Sequence, residues 1–240
     1  MQKYSIFNLI KNAFSNHEKW DLAWKNPAPK KEYDVIIIGG GGHGLATAYY
    51  LAKEHGITNV AIIEKGWIGG GNVGRNTTII RSNYMHDDNA LFSEFGMNLW
   101  RKMSQDLNYN VMFSPRGIIN LAHSDAQMNI YARRGNSMRL NGIDAVLLNR
   151  DQVKEIIPMA DFSENVRFPI FGGLMQPSAG TARHDAVAWG YARQADSMGV
   201  DIIQNCEVMG FDVSAGKING IRTSRGDIKV KKIGLCVAGS

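Results

Sequence analysis

The sequence predicts an α/β fold in which a parallel sheet is interrupted by an inserted α+β lobe. Three observations predict it: a β-branched run at residues 34–38 without polar alternation, a glycine-rich turn followed by helically spaced apolar residues, and several strand-like segments after residue 200. A strand covered on both faces is expected to lack polar alternation. The composition, 44% hydrophobic and 20% charged, is typical of a globular chain and excludes disordered and collagen-like classes.

Residues 1–32 are predicted to form an N-terminal arm outside the sheet. A short amphipathic helix is indicated by five apolar residues set among polar ones, Ile6, Phe7, Leu9, Ile10 and Phe14. A Trp-bearing segment follows and ends at the proline-containing stretch 26–31. The arm is therefore expected to be an addition to the sheet domain.

Charge, cysteine content and apolar run length exclude several functional classes. The net charge of +5 is mild, and the basic residues at 30–31 and 229–232 give no nucleic-acid footprint. No apolar run approaches the roughly 18 residues that span a bilayer. Cys206 and Cys236 allow one bridge at most. We expect a cytoplasmic protein with no nucleic-acid or membrane partner.

A glycine-rich turn follows the first strand directly. Gly39, Gly41 and Gly44 satisfy the pattern G-x-G-x-x-G, and helically spaced apolar residues continue to residue 52. The first glycine permits the turn, the second lets the backbone approach a pyrophosphate, and the third lets the helix pack closely on the strand. The order strand, turn, helix predicts a Rossmann-like dinucleotide site at a helix N-terminus.

An acidic residue ends the second predicted strand. Val60–Ile63 is a short apolar run, and Glu64 follows it, 20 residues beyond Gly44. A carboxylate there accepts hydrogen bonds from ribose hydroxyls and repels a 2′-phosphate, which favours FAD or NAD over NADP. Without the glycines, a solvated charge at a strand end is the better interpretation.

The loop after Glu64 favours FAD over NAD. Residues 66–78 are rich in Gly, Asn and Thr, whereas an NAD domain normally proceeds into another βα unit. The end of the chain agrees, with predicted strands at 201–203, 207–208, Lys217–Thr223 and 227–230, and a last buried strand at 233–237 that runs into small residues. We expect residues 33–84 and 180–240 to form the FAD-binding domain and 85–179 the inserted lobe.

The inserted lobe shows structural patterns and no catalytic motif. Helices are predicted at 90–106, Asp125–Leu140 and Arg150–Ile156, with strands at 117–122 and 145–148. Phe92, Phe95, Leu99 and Met103 are interpreted as core residues of the first helix. No metal-ligand spacing and no nucleophile elbow occur, so no metal is expected and the catalytic residues stay unknown.

His184 lies between Arg183 and Asp185 at the start of a predicted helix. Asp185 is interpreted as a helix cap. A lone histidine in a first helical turn is more often structural than functional. A neutral imidazole is nevertheless a nucleophile toward an electrophilic cofactor position.

Several longer strings resemble the β subunits of heterotetrameric bacterial sarcosine oxidases. The similar segments are residues 39–52, 70–72, 75–84, 116–117, 121–123, 183–185 and 202–208. They are far more specific than the glycine pattern alone, and the resemblance extends over nearly the whole chain.

The resemblance implies two flavins. FAD is expected to bind without a covalent bond, and FMN to be attached through its 8α-methyl group to a ring nitrogen of His184, with Arg183 beside the FMN. The residues that the resemblance assigns to FAD are Gly39, Gly41, Gly42, His43, Gly44, Glu64, Lys65, Asn72, Asn76, Thr77 and Val208. Within this set, Gly42 and His43 belong to the pyrophosphate turn, Asn72 and Thr77 to the second flavin loop, and the Val208 backbone to the adenine.

The resemblance also implies a reaction and partners. Sarcosine is oxidised at its N-methyl carbon to glycine and formaldehyde, or methylenetetrahydrofolate when folate is present, and oxygen becomes hydrogen peroxide. The expected partners are the α, γ and δ subunits. The alternatives are a dehydrogenase or oxidase for dimethylglycine or another N-methyl amino acid, and a non-catalytic flavin-binding fragment.

Length is the one departure from the resemblance. The β subunits continue for well over a hundred residues past the position of Ser240, and that part carries a second flavin segment and much of the substrate pocket. The FAD domain is therefore expected to be truncated at its C-terminus. We expect weak or absent FAD retention, and no turnover, from these 240 residues alone.

Overall fold

The computed structural model describes residues 5–18, 22–163 and 165–238. Trp20 in the arm and the predicted small-residue end at Gly239 and Ser240 lie outside the described residues. The described residues divide into two compact units. The first comprises those within 5–77, 105–111 and 183–238, and the second those within 78–104 and 112–182.

The first unit is built on a six-stranded mixed sheet. Its elements are α1 (Ile6–Phe14), β1 (Glu32–Ile38), α2 (Gly42–His55), β2 (Val60–Ile63), a short 3-10 helix (Asn72–Arg75), α6 (His184–Ser197), β8 (Asp201–Ile203), β9 (Val208–Ser214), β10 (Lys217–Thr223) and β11 (Gly226–Leu235). The strand order is β8-β2-β1-β11-β10-β9, and β8, β2, β1 and β11 are parallel. The predicted α/β fold with a Rossmann-like sheet is confirmed.

Apolar strands and helix faces form the core of this unit. Ile37 and Ile62 are fully buried in the two central strands, and Leu45 and Ala48 are fully buried on α2. A cluster of buried side chains consists of Tyr33, Ile36, Ile38, Ala61, Ile63, Ile203, Cys206, Ile221, Ile228 and Val230. Ile36 and Ile38 belong to this cluster, and Ile37 between them is fully buried on the opposite face. The 34–38 run is therefore a strand covered on both faces.

The end of the sheet differs from the prediction. The expected strands at 227–230 and 233–237 are one continuous strand, β11, which pairs with β1 in parallel and with β10 in antiparallel fashion. The interpretation of its end as buried was wrong, because Leu235 is 65% exposed. The reason lies in the pairing: β10 accompanies β11 only as far as Lys229, so the later residues pair with β1 alone.

The second unit has two small antiparallel sheets and three helices. Its elements are β3 (Ile79–Ile80), α3 (Asp87–Asp106, whose last two residues belong to the first unit), β4 (Ile118–Ala122), α4 (Asp125–Leu140), β5 (Val146–Asn149), α5 (Arg150–Ile156), β6 (Gly172–Gln176) and β7 (Gly180–Thr181). The strand orders are β4-β6-β5 and β3-β7. The main core cluster is Ala90, Met138, Ile143, Ala145 and Leu174.

One expectation for this unit needs correction, and one of its strands was not predicted. Phe92 and Phe95 are not core residues, since they are 80% and 65% exposed, and the buried residues of α3 are Ala90, Met97 and Met103. The central strand β6 was not predicted. Gly172 and Gly173 begin β6, and neither gives an apolar signal.

No described helix has the length and apolarity needed to cross a membrane. Cys206 is buried, Cys236 is partly buried, and both are free thiols. Among the described residues, no three His, Cys, Asp or Glu side chains come together as a metal-binding group.

Candidate functional site

The glycine turn between β1 and α2 leaves the helix N-terminus open. Gly39 has a φ of +110°, and a methyl group on it would lie 2.5 Å from the Cys236 carbonyl oxygen. A methyl group on Gly44 would collide with the Gly39 carbonyl oxygen, so the helix packs on the turn at its third glycine. A methyl group on Gly41 would meet only Val73, at 3.7 Å. Gly41 therefore has free space on its surface.

The N-terminus of α2 has no side-chain cap. Gly41 is the N-cap residue, and no side chain accepts a hydrogen bond from the first turn. The first N–H groups of a helix have no intrahelical acceptor, and the helix dipole places partial positive charge there. Gly42 and His43 begin the helix, with His43 exposed. This arrangement suits the pyrophosphate of a dinucleotide.

Glu64 joins this turn to the next loop. Its Oε2 accepts a hydrogen bond from the Gly40 N–H at 2.7 Å, and its Oε1 accepts one from the Gly66 N–H at 2.8 Å. A carboxylate oxygen has two lone pairs, so each Glu64 oxygen keeps acceptor capacity for a ribose hydroxyl. Glu64 is thus more than a solvated charge at a strand end.

The loop after Glu64 lies against the glycine turn. The Gly69 N–H donates to the Gly40 carbonyl oxygen at 2.9 Å, and Val73 is the nearest side chain to the free surface of Gly41. The Asn76 side chain donates to the Val73 carbonyl oxygen at 2.8 Å, while Lys65, Asn72 and Thr77 are exposed. The loop therefore forms a second polar wall beside the uncapped helix end.

The segment before β9 reaches the same place. The Asn205 N–H donates to the Gly66 carbonyl oxygen at 2.8 Å, and the Cys206 N–H donates to the Glu64 carbonyl oxygen at 2.9 Å. Val208 begins β9 two residues later and is partly buried against the sheet core. The backbone near Val208 is thereby held beside the segment that carries Glu64. The fold thus brings the predicted FAD residues of the turn, the loop and β9 to one edge of the sheet.

His184 begins α6 with one ring nitrogen engaged. The Asp185 N–H donates to His184 Nδ1 at 2.9 Å, which makes Nδ1 an acceptor. Nε2 has no hydrogen-bond partner among the described residues, and the side chain is 26% exposed. His184 therefore presents a nitrogen that is not used in the fold.

Arg183 and Asp185 pair beside this ring. Arg183 Nε and Nη2 donate to the two Asp185 oxygens at 3.0 and 2.6 Å. This pairing with Arg183 holds the pKa of the Asp185 carboxyl well below its usual range, and Asp185 raises the pKa of Arg183. The expected capping role needs correction, because Arg183 is the N-cap residue and Asp185 accepts from the Ala186 N–H within the first turn.

The second unit contains a pair of arginines that sequence reasoning did not identify. Arg81 Nη1 donates to Asn83 Oδ1 at 2.6 Å, and Arg134 donates to the same oxygen at 3.0 Å and to the Asn83 carbonyl oxygen. The hydrogen bonds of both guanidinium groups go to Asn83, which carries no charge. Burial, and then the charge of Arg81, lower the pKa of Arg134. Two cations that share one neutral amide form a candidate anion site.

Replacing Glu64 separates a cofactor role from a structural one. We expect Glu64→Gln to weaken FAD binding tenfold to about a hundredfold, because its amide nitrogen replaces an acceptor with a donor. Fluorescence titration with FAD of the natural gene product that carries these residues measures the affinity, and urea unfolding of its apoprotein measures stability. Glu54→Gln is the control, since Glu54 is exposed on α2 and contacts only Lys53 in an ion pair. A loss of stability with unchanged FAD affinity would show that Glu64 is structural.

Comparison with known proteins gives a consistent picture. The model of the family "FAD dependent oxidoreductase" matches residues 34–239. The chain is 59% identical over 238 residues to sarcosine oxidase subunit beta of Rhizobium meliloti, covering 99% of this chain and 57% of the relative. It is 52% identical over 239 residues to the same subunit of Rhodobacter capsulatus, covering 100% of this chain and 58% of the relative. The chain thus spans less than three fifths of these relatives.

Solved structures support the same fold. L-proline dehydrogenase from P. horikoshii is 27% identical, with a TM-score of 0.80, and the match covers 87% of this chain and 54% of that one. Glycine oxidase from Bacillus cereus is 24% identical, with a TM-score of 0.74, and the match covers 85% of this chain and 54% of that one. The second likeness concerns the fold alone.

Proposed function

The chain belongs to the FAD-dependent oxidoreductase family, and from this premise we propose that it is the FAD-binding part of a sarcosine oxidase β subunit. The observation that carries the proposal is the identity of 52–59% to two such subunits over nearly every residue of this chain. The proposed reaction takes sarcosine, oxygen and water to glycine, formaldehyde and hydrogen peroxide, with methylenetetrahydrofolate formed in place of formaldehyde when folate is present.

The residues of the first unit fit FAD. The uncapped start of α2 and the free surface of Gly41 are suited to the pyrophosphate, and Glu64 to the ribose hydroxyls. Bound FAD supplies the acceptor for the hydride that leaves the N-methyl carbon of the substrate. The proposed role of this chain is to bind the cofactor at its diphosphate and ribose and to fix its orientation.

His184 is the proposed attachment point of a second flavin, FMN. Its unengaged Nε2 is the nitrogen available for the bond, and Arg183 precedes His184 in the chain with its guanidinium paired to Asp185. Covalent FMN and the α, γ and δ partner subunits belong to the proposal because the resemblance implies them. FMN supplies the route by which electrons reach oxygen.

Arg81 is the proposed anchor for the substrate carboxylate. A guanidinium binds a carboxylate through two parallel hydrogen bonds, and the side-chain hydrogen bond of Arg81 goes to the neutral amide of Asn83. Asn83 holds it from one side while Arg134, bound to the same amide, adds positive charge. The carboxylate of an N-methyl amino acid is an anionic partner that Arg81 and Arg134 are suited to bind.

Substrate oxidation by the natural enzyme tests the proposal. We expect the gene product that carries these residues, assembled with its partner subunits, to show anaerobic bleaching of the oxidised-flavin band on addition of sarcosine, and peroxide formation in air. We expect Arg81→Lys to raise the KM about tenfold, because it keeps the charge and loses the paired hydrogen bonds. Arg133→Lys, at an exposed position on α4, is the control.

Three outcomes would contradict specific parts of the proposal. Bound flavin without reduction by any N-methyl amino acid would indicate a non-catalytic module. Faster oxidation of dimethylglycine than of sarcosine would change the assigned substrate. An unchanged KM in Arg81→Lys would remove Arg81 from the substrate site.

A further inference from the structure

Three of the five buried polar side chains among the described residues belong to one cluster next to Arg81. They are Ser82, Asn83 and Gln176, each fully buried within the second unit. Arg81 and Arg134, which contact this cluster, are only partly buried. Burying polar groups costs free energy unless their hydrogen bonds are made. A buried polar cluster below two partly exposed arginines therefore needs an explanation beyond packing.

Ser82 is hydrogen-bonded to two separate elements of the unit. Its N–H donates to Gln176 Oε1 at 3.0 Å, and its hydroxyl oxygen accepts from Gln176 Nε2 at 2.7 Å. The same hydroxyl donates to Glu94 Oε2 at 2.7 Å. Gln176 lies on β6 and Glu94 on α3. The backbone between Arg81 and Asn83 is thereby fixed, and the Arg81 side chain starts from a defined position.

The Asn83 amide has one orientation that satisfies all its neighbours. Its Oδ1 accepts from Arg81 Nη1 at 2.6 Å and from Arg134 Nη2 at 3.0 Å. Its Nδ2 donates to Asn120 Oδ1 on β4 at 2.7 Å. A guanidinium has donors and no acceptor, so the amide oxygen must face the arginines and the amide nitrogen must face Asn120. The Arg81 guanidinium also lies over the Tyr84 ring, 5.1 Å from its centroid.

The acceptor between the two arginines is neutral. A carboxylate in this place would pair with both guanidinium groups and offset their charge, whereas an amide oxygen accepts the same hydrogen bonds without a charge. The charge of Arg81 helps to lower the pKa of Arg134, as expected for two neighbouring cations. The positive charge of Arg81 and Arg134 is therefore retained for an anion that binds from outside.

We propose that Asn83 is a positioning residue for substrate binding, whose neutral amide holds Arg81 and Arg134 together and leaves their charge to the substrate carboxylate. Asn120 supports it by orienting the amide, and Gln176 by fixing the adjacent backbone. This inference rests on the proposed function for the identity of the anion. It adds that Asn83 sets how strongly the site binds a carboxylate without taking part in bond breaking.

The variant Asn83→Asp of the natural gene product, assembled with its partner subunits, tests the charge argument. Aspartate keeps the shape and the acceptor oxygens, and the Asn120 amide can turn to donate to it, so we expect a near-normal unfolding midpoint. We expect the KM for sarcosine and the inhibition constant of acetate to rise about tenfold or more, with kcat nearly unchanged, because binding common to substrate and transition state is lost.

Asn136→Asp is the matched control for this substitution. Asn136 is exposed on α4, and its Oδ1 accepts from Arg139 Nη2 at 2.6 Å, so the same change is made at another amide that contacts an arginine. We expect this control to alter neither the KM nor the inhibition constant. Weakening of equal size in the control would show that any added negative charge suffices, and would overturn the specific role of Asn83.

Arg134→Gln gives a second test that introduces no buried charge. Glutamine can donate to the Asn83 carbonyl oxygen, which Arg134 contacts in the unchanged protein, and one positive charge next to Arg81 is removed. We expect acetate to bind about threefold to tenfold more weakly, since a cation near the site contributes to anion binding. Titration of the flavin absorbance with acetate measures this binding and requires no turnover.

The outcomes separate the positioning role from the proposed function. Normal acetate binding in a folded Asn83→Asp enzyme would overturn the positioning role and leave Asn83 structural. Should that variant fail to fold, normal acetate binding in Arg134→Gln would overturn it. Weaker acetate binding in the variants, in an enzyme that does not oxidise sarcosine, would contradict the proposed function and support the positioning role. A raised KM in Arg81→Lys with a normal KM in Asn83→Asp would retain Arg81 as the anchor and reject the role of Asn83.

Discussion

Replacing Gly44 with alanine is expected to destroy FAD binding and to destabilise the first unit. A methyl group there collides with the Gly39 carbonyl oxygen and lies 3.3 Å from the Ile37 side chain. The oxygen belongs to the backbone of the turn, so relief requires the turn itself to shift. We expect a loss of about 3 kcal/mol or more, which is a fall in Tm of about 6–12 °C for a protein of this size. Thermal unfolding of the apoprotein and FAD titration, both on the natural gene product that carries these residues, measure the two effects.

Two other glycines separate stability from cofactor binding. Gly41→Ala has room, with its nearest neighbour 3.7 Å away, so we expect near-normal stability but weaker FAD binding, because the methyl group occupies the side a pyrophosphate approaches. Gly96→Ala, in the interior of α3 with no atom within 4 Å, is the control and is expected to be neutral or stabilising. Gly44→Ala with normal stability would show that the turn adapts and would refute the packing argument.

The first half of the sheet was predictable because its signals are local. The apolar run of β1, the glycines of the turn and the apolar run of β2 each specify their own conformation. β6 was missed because it starts with two glycines, whose place is set by neighbours: a methyl group on Gly173 would lie 2.9 Å from the Asn120 carbonyl oxygen on β4. Tertiary packing of this kind has no periodic signal in the sequence.

The candidate site was also predictable only in part from the sequence. The spacing of Glu64 from the glycines predicted a carboxylate at the sheet edge, and the structure adds the two N–H donors that orient it. The pairing of Arg81 with Arg134 through Asn83 was not predictable, because the residues are 53 positions apart and meet only through the fold of the second unit. The only indication of an unpaired arginine in the sequence was indirect, because no acidic residue is adjacent to Arg81 in the chain.

Replacing His184 with glutamine is expected to abolish covalent attachment of flavin. Glutamine lacks the aromatic nitrogen nucleophile, and loss of the hydrogen bond that the Asp185 N–H donates to Nδ1 is expected to cost about 1 kcal/mol of stability. The assembled enzyme is denatured and acid-precipitated, and flavin fluorescence is read on the pelleted protein and on its peptides. We expect fluorescence on the peptide that contains His184 in the unchanged protein and none above blank in the variant.

The hydrogen bond at Nδ1 makes the prediction more specific. Because the Asp185 backbone N–H supplies that bond, Asp185→Asn keeps it, and we expect covalent flavin to persist in this variant although the ion pair with Arg183 is lost. His55→Gln, at the exposed end of α2, controls for loss of a histidine elsewhere. The bond is expected at Nε2, which NMR of the isolated flavin peptide identifies. Flavin that remains covalently bound in His184→Gln would place the attachment at another residue, and attachment through Nδ1 would mean that the Asp185 N–H bond breaks when flavin is joined.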